Sequence, residues 1–246
     1  MTLDIFPSQA DAERALAAEI AALVRERPTA VLGLASGRSP VGVYAELISL
    51  KQTAGLDLSR IRTFNLDEYI GLSPDDPRSF RAFMRQAFLD PAGVPLEASR
   101  FPEGPDFDHE IAQVGGIDLQ LLGLGRSGHI GFNEPGSDRD SRTRRVSLHP
   151  TTRVDASSQF GTLDAVPSEA WTMGIASILE ARRIRVVAFG TSKSELVART
   201  LRSRPGPEWP ASFLHQHADV RVFVDPDAAR LADGRLMSPE VQVRRS

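Results

Sequence analysis

The chain contains no cysteine. Disulfides, thiolate nucleophiles and zinc-thiolate centres are therefore excluded, and no redox staple marks a compartment. Charge of one sign is also scarce: a formal net charge of −3 provides no basic field for a polyanion, whereas a phosphorylated small molecule needs only a local cluster of donors. No nucleic-acid partner is predicted. Apolar runs of membrane-spanning length are missing, and Leu16, Ile20 and Leu23 instead fall at helical spacing within polar sequence. The start carries Asp4 without a basic n-region, so the expectation is a soluble, cytoplasmic protein with no signal peptide and no membrane contact. Internal repeats and low-complexity tracts are absent too. What remains is 246 residues, 41% hydrophobic and 25% charged, the composition of one large α/β domain spanning 1–246.

Five short apolar runs, at 29–34, 61–66, 117–124, 184–189 and 220–224, alternate with stretches of helical periodicity such as Val43, Tyr44, Leu47 and Ile48. This predicts an open, mostly parallel Rossmann-like sheet with helices on both faces. About 28 residues precede the first of these runs, enough for one helix but not for a helix-turn-helix module. Polar residues about 136–168 show no clear element. So long a segment inside a domain is either disordered or a working lid, which the reading places at about 147–168.

Every chemically rich segment follows a predicted strand, and ligands of open α/β sheets bind outside the carboxyl ends of strands. Residues 123–135 present Gly123-x-Gly125-x-x-Gly128 and then His129 and Glu134, five apart. The glycine spacing imitates a dinucleotide fingerprint, but Gly131 and Pro135 break any helix it should open and no acidic residue stands about 20 positions on. His129 is a candidate acid/base, because only histidine titrates unperturbed near neutrality, with Glu134 placed to orient it. Ser36-Gly37-Arg38-Ser39-Pro40 offers a close backbone approach, two hydroxyls and a cation, with Ser39 as the expected N-cap and Pro40 as the first helical residue. Such a turn binds anions, although a plain capped helix has the same sequence. Lys193 stands at another strand-to-helix turn, where a point charge reaches an anion. Asp67 and Glu68, at a strand end, are either caps or working carboxylates. His215 and His217 share one face without a third ligand nearby and are expected to be structural; no metal site is predicted. Arg139, Arg142, Arg144 and Arg145, interleaved with Asp138 and Asp140, are expected to form a solvated face.

Thr-Phe-Asn-Leu-Asp-Glu-Tyr-Ile-Gly-Leu at 63–72 and Gly-His-Ile-Gly-Phe-Asn-Glu-Pro-Gly at 128–136 resemble the signatures of the glucosamine-6-phosphate deaminase family. The resemblance covers nearly the whole chain, including the turn at 35–40, Ser79-Phe80, Ser141-Arg142-Thr143, Met173-Gly174-Ile175 and Lys193. Sister 6-phosphogluconolactonases share the fold but not Tyr69 or the Phe-Asn-Glu-Pro run. The resemblance implies that an amino-sugar phosphate is converted to fructose 6-phosphate and ammonia, without metal or organic cofactor. It implies that His129 opens the sugar ring, Glu134 holds it, and Asp67 moves a proton from C2 to C1. Ser36, Gly37, Arg38, Ser39 and Lys193 would bind the phosphate. Ser127 stands where relatives carry Asp or Asn, and Ser158 where their lid carries a phosphate-binding arginine; Arg38 is the expected replacement for that guanidinium. These departures also fit galactosamine 6-phosphate or another phosphorylated sugar. A monomer or small homo-oligomer is expected.

Overall fold

Apolar side chains at successive positions of the central strands enter cores on opposite sides of one sheet, as the two-residue repeat of a strand requires. The computed structural model describes residues 1–232 and 241–245. Among them the strands are β1 (Thr2–Ile5), β2 (Val31–Leu34), β3 (Arg62–Asn65), β4 (Asp67–Tyr69), β5 (Ser99–Arg100), β6 (Leu119–Gly123), β7 (Arg144–Ser147), β8 (Glu169–Thr172), β9 (Ile184–Ala188), β10 (Val220–Val224) and β11 (Gln242–Arg245). The α-helices are α1 (Gln9–Glu26), α2 (Val41–Ala54), α3 (Phe80–Met84), α4 (Asp90–Ala92), α5 (Phe107–Gln113), α6 (Pro150–Phe160), α7 (Ile175–Leu179), α8 (Ser194–Arg202) and α9 (Pro226–Ala229).

Eight of these strands form a parallel sheet in the order β11-β1-β10-β9-β6-β2-β3-β5. Leu32, Leu34, Leu121, Val187 and Phe223 join α1 and α2 on one face. Val31, Leu122, Val186 and Val222 join α7 and α8 on the other. Each fully buried aliphatic side chain contributes about 1.5–3 kcal/mol, which makes this two-sided core the main stabilising feature. The α/β prediction with helices on both faces is borne out. No helix among the described residues is long and apolar enough to cross a membrane.

The structure corrects the sequence reading in three places. First, β1 precedes the first predicted strand and sits within the sheet, between β10 and β11. Asp4 interrupts its apolar pattern because the carboxylate is buried against Arg221, 2.7 Å away, in a network that includes Glu19 and Arg185. Second, the segment read as structureless contains β7 and α6. Strand β7 pairs with β8, and β8 with β4, in a small antiparallel sheet. Helix α6 buries only Phe160, so its sequence carries no apolar stripe to read. Third, α2 starts at Val41, with Pro40 at the cap position and no side-chain cap bond, so Ser39 is not the N-cap. Its hydroxyl is left to the crevice.

Candidate active site

The order in which successive strands are added to the large sheet reverses between β2 and β6: β3 and β5 lie to one side, β9 and β10 to the other. A crevice opens at the carboxyl ends there, at the point where connections diverge. The turn 35–40 follows β2, Leu66 and Asp67 follow β3, and Gly123 to Gly125 close β6; together with His129 they line a cavity of about 230 Å3. The buried Tyr44 hydroxyl, reaching up from α2, donates to Ala35 O at 2.7 Å and fixes the first turn from below.

Asp67 is buried, 6% exposed, and accepts a hydrogen bond from Ser36 Oγ at 2.8 Å. Burial raises its pKa to about 7; Ser36 and the charge of His129 oppose that rise, whereas Glu68 adds to it. Glu68 turns the other way and accepts from the backbone N–H groups of Phe80 at 3.0 Å and Arg81 at 2.8 Å. Between the two adjacent carboxylates, Glu68 is therefore the cap and Asp67 the group in the crevice.

His129 is held from behind. Its Nδ1 lies 2.9 Å from Ser127 Oγ and 3.2 Å from Glu134 Oε2, while Ser127 Oγ donates to Glu134 Oε2 at 2.5 Å. Ser127 has one proton, given to the carboxylate, so its oxygen accepts from Nδ1–H. This arrangement engages Nδ1–H and leaves Nε2 as the ring nitrogen available to a ligand. Nε2 has no protein hydrogen-bond partner among the described residues. Burial disfavours the Glu134 charge, but the His129 hydrogen bond and charge, with Ser127 and Thr152, outweigh it and hold the carboxyl at about 2. Ser127 is thus a neutral hydroxyl bridge between His129 and Glu134.

Local geometry requires glycine at two points. A Cβ on Gly125 would lie 1.9 Å from His129 Nε2, so the imidazole occupies the space a side chain would take. Gly131 has φ +58°, and a Cβ there would meet Thr172 Oγ1 at 2.9 Å and approach Asp67. The loop is pinned across the small sheet: Thr172 pairs with Asp67 in register, and its Oγ1 accepts from Phe132 N at 3.0 Å. Fully buried Asn133 donates to Ile130 O and Met173 O and accepts from Arg144 at 2.8 Å. Tyr69, Phe80, Phe132 and Phe160 form a cluster, with contacting ring centroids 4.6 to 5.9 Å apart in tilted, edge-to-face and stacked pairs.

Of the residues singled out from sequence, Ser36, Gly37, Arg38, Ser39, Asp67 and His129 share the cavity wall. Glu134 and Lys193 stand one contact behind it, Glu134 through His129 and Lys193 through a 2.7 Å bond from Nζ to Leu124 O. The Arg38 side chain is exposed and makes no hydrogen bond or ion pair among the described residues. Ser158 is exposed on α6. Two contacts lie outside the sequence reading: Thr152 donates to Glu134 Oε1 and Arg126 pairs with Asp155, both reaching α6. Neither has a sequence signal, since α6 shows no periodicity. Arg139, Arg142 and Arg145 form exposed pairs with Asp140, Glu180 and Glu169, as a solvated face should, but Arg144 is half-buried against Asn133. His215 and His217 bond to Thr200 O and Ala181 O and are structural. Among the described residues no group of three or more His, Asp or Glu is placed to hold a metal ion.

Fold and crevice define an open α/β protein with a buried carboxyl and an imidazole at the switch point, beside a glycine turn and two cations. The chain belongs to the glucosamine-6-phosphate isomerase/6-phosphogluconolactonase family, whose pattern matches residues 8–223. It is 43% identical over 242 residues to a glucosamine-6-phosphate deaminase of Rhodopirellula baltica, covering 95% of this chain and 96% of that one. It is 43% identical over 226 residues to glucosamine-6-phosphate deaminase 1 of Bacillus subtilis, covering 88% and 93%. The solved structure of a monomeric glucosamine-6-phosphate deaminase superposes with a TM-score of 0.89 at 39% identity, covering 94% of this chain and 100% of that one. A 6-phosphogluconolactonase from Leishmania guyanensis, at 22% identity and a TM-score of 0.69 with 93% and 97% coverage, shares the fold.

Proposed function

We propose that this chain is a glucosamine-6-phosphate deaminase, which converts glucosamine 6-phosphate and water to fructose 6-phosphate and ammonia. The observation that carries the reading is the pairing, in one crevice, of a buried carboxyl at about 7 with an imidazole whose free Nε2 faces the same space. Relatives of near-full coverage bear that activity.

His129 Nε2 takes the O1 proton and returns it to the ring oxygen, which opens the pyranose to the aldehyde. Ionised Asp67 then takes the C2 proton while the substrate ammonium gives up a proton that passes to O1, forming an enolamine, and Asp67 delivers the C2 proton to C1. The product is the C2 iminium, which water attacks to release ammonia and leave the ketose. A carboxyl that titrates near neutrality serves both directions of that transfer. Glu134 holds His129 through Ser127 and stabilises positive charge on the ring. Ser36, Gly37, Arg38, Ser39 and Lys193 receive the phosphate, with Arg38 supplying the guanidinium that position 158 lacks. No metal or organic cofactor enters these steps. The whole chain acts as one domain, segment 147–168 is its lid, and the protein works in the cytoplasm as a monomer or small homo-oligomer. The monomeric relative supports the last point.

Purified protein incubated separately with glucosamine 6-phosphate and galactosamine 6-phosphate, with ammonia and ketose phosphate both measured, tests the reading. Release from glucosamine 6-phosphate that Asp67→Asn lowers by about 10²-fold or more is expected, the scale of a lost acid/base. Release from the galactosamine ester alone would change the substrate and keep the chemistry. Silence on both would overturn the assignment.

A further inference from the structure

Arg126 projects from the same turn that builds the crevice. It follows Gly125, which lines the cavity, and precedes Ser127, which bridges His129 and Glu134. The backbone of this turn also carries Lys193, whose ammonium bonds Leu124 O at 2.7 Å. Arg126 Nη2 lies 3.3 Å from Asp155 Oδ1 on α6, with the two side chains 72% and 38% exposed. Burial holds the Lys193 pKa down, and the Arg126 charge lowers it further while Asp155 opposes that effect. Two cations therefore feel one another beside the crevice, with a single exposed carboxylate as their shared counterion. An exposed pair of this kind is weak and readily exchanged. A phosphate monoester, with three acceptor oxygens and a charge near −2, matches a guanidinium fork better than a solvated carboxylate does.

We propose that Arg126 is a further phosphate-binding residue of this site and that Asp155 is its internal competitor, from which the entering phosphate takes the guanidinium. The proposal rests on the sugar-phosphate reading above and deepens it. It makes α6 a contributor to affinity in the opposite sense from a lid arginine: Asp155 restrains a cation on the facing turn until an anion displaces it. Substrate binding and release of α6 from the turn become one exchange.

The experiment is calorimetric titration of inorganic phosphate at low ionic strength into the parent protein, Arg126→Ala, Arg126→Lys, Asp155→Asn and the Arg126→Ala/Asp155→Asn double variant. Arg126→Ala is expected to weaken phosphate binding about tenfold, the scale of a charge-assisted hydrogen bond, and Arg126→Lys to recover part of that loss. Asp155→Asn is expected to tighten binding severalfold in the parent background and little in the Arg126→Ala background. Unchanged affinity in Arg126→Ala overturns the proposal. Weaker binding in Asp155→Asn overturns it as well, since the pair would then serve to position the turn. An equal gain in both backgrounds also does so, since Asp155 would then act on the anion directly. Steady-state turnover of glucosamine 6-phosphate separates this proposal from the functional reading: Arg126→Ala should raise KM with kcat nearly unchanged. The expected phosphate pattern in a protein that turns over neither amino-sugar phosphate would uphold the Arg126 exchange and refute the deaminase.

Discussion

Ser36 Oγ donates to Asp67 Oδ1 across 2.8 Å, which ties the turn after β2 to the carboxyl after β3. The bond favours the ionised carboxylate against the burial that raises its pKa to about 7. Ser36→Ala should therefore move the acid limb of kcat upward by roughly one pH unit, the equivalent of one hydrogen bond to a charged group. The check is kcat against pH for both proteins, and superimposable limbs would deny the bond its role.

The same carboxyl limits stability. Native Asp67 titrates near 7 against 3.8 in its ordinary state, so between those values the folded protein binds a proton that the unfolded chain has released. Its stabilising contribution is complete below about pH 4 and is lost as pH rises to 7, by a sum on the order of 4 kcal/mol. Asp67→Asn does not titrate, and its Tm should gain on the parent between pH 5 and pH 8. A pH-independent difference in Tm would mean that Asp67 is not desolvated as the structure describes.

Ser127 turns a direct contact of 3.2 Å between His129 Nδ1 and Glu134 into a relay of two shorter hydrogen bonds. Ser127→Ala should lower kcat about tenfold through the loss of roughly one such bond, whereas Ser127→Thr, which keeps the hydroxyl, should retain most activity. Equal losses in the two variants would argue for a packing role.

Gly125 lies against the face of the imidazole, with room for no Cβ within 1.9 Å of Nε2. Gly125→Ala should displace the ring and reduce kcat by about 10²-fold or more, the scale of a 1 Å misplacement. The cost in stability should stay near 1–3 kcal/mol, the usual range for overpacking. Thermal melts beside kcat measurements distinguish a displaced ring from an unfolded chain.

Much of this architecture is legible locally. The runs that became β2, β3, β6, β9 and β10 declare themselves because each is a short stretch rich in apolar and β-branched residues, and the turns after them carry glycine, hydroxyl or charge. His129 with Glu134, and the turn 36–39, could be nominated from spacing and residue type alone. Elements whose stability comes from partners outside themselves could not. Strand β1 hides its register behind Asp4, whose buried carboxylate is compensated by Arg221 on the neighbouring strand. Helix α6 offers a polar sequence because only Phe160 enters a core.

The amino-acid sequence by itself determined the parallel α/β order, the glycine turns and the acid/base residue types, since these depend on periodicity and side-chain chemistry carried within each segment. Tertiary structure alone decided which of the adjacent carboxyls serves as a cap and which is buried in the crevice. It also decided that Ser127 bridges His129 to Glu134 and that α6 meets the site through Thr152 and Asp155. Those outcomes depend on burial and on distances between atoms far apart in the chain, which no local pattern encodes.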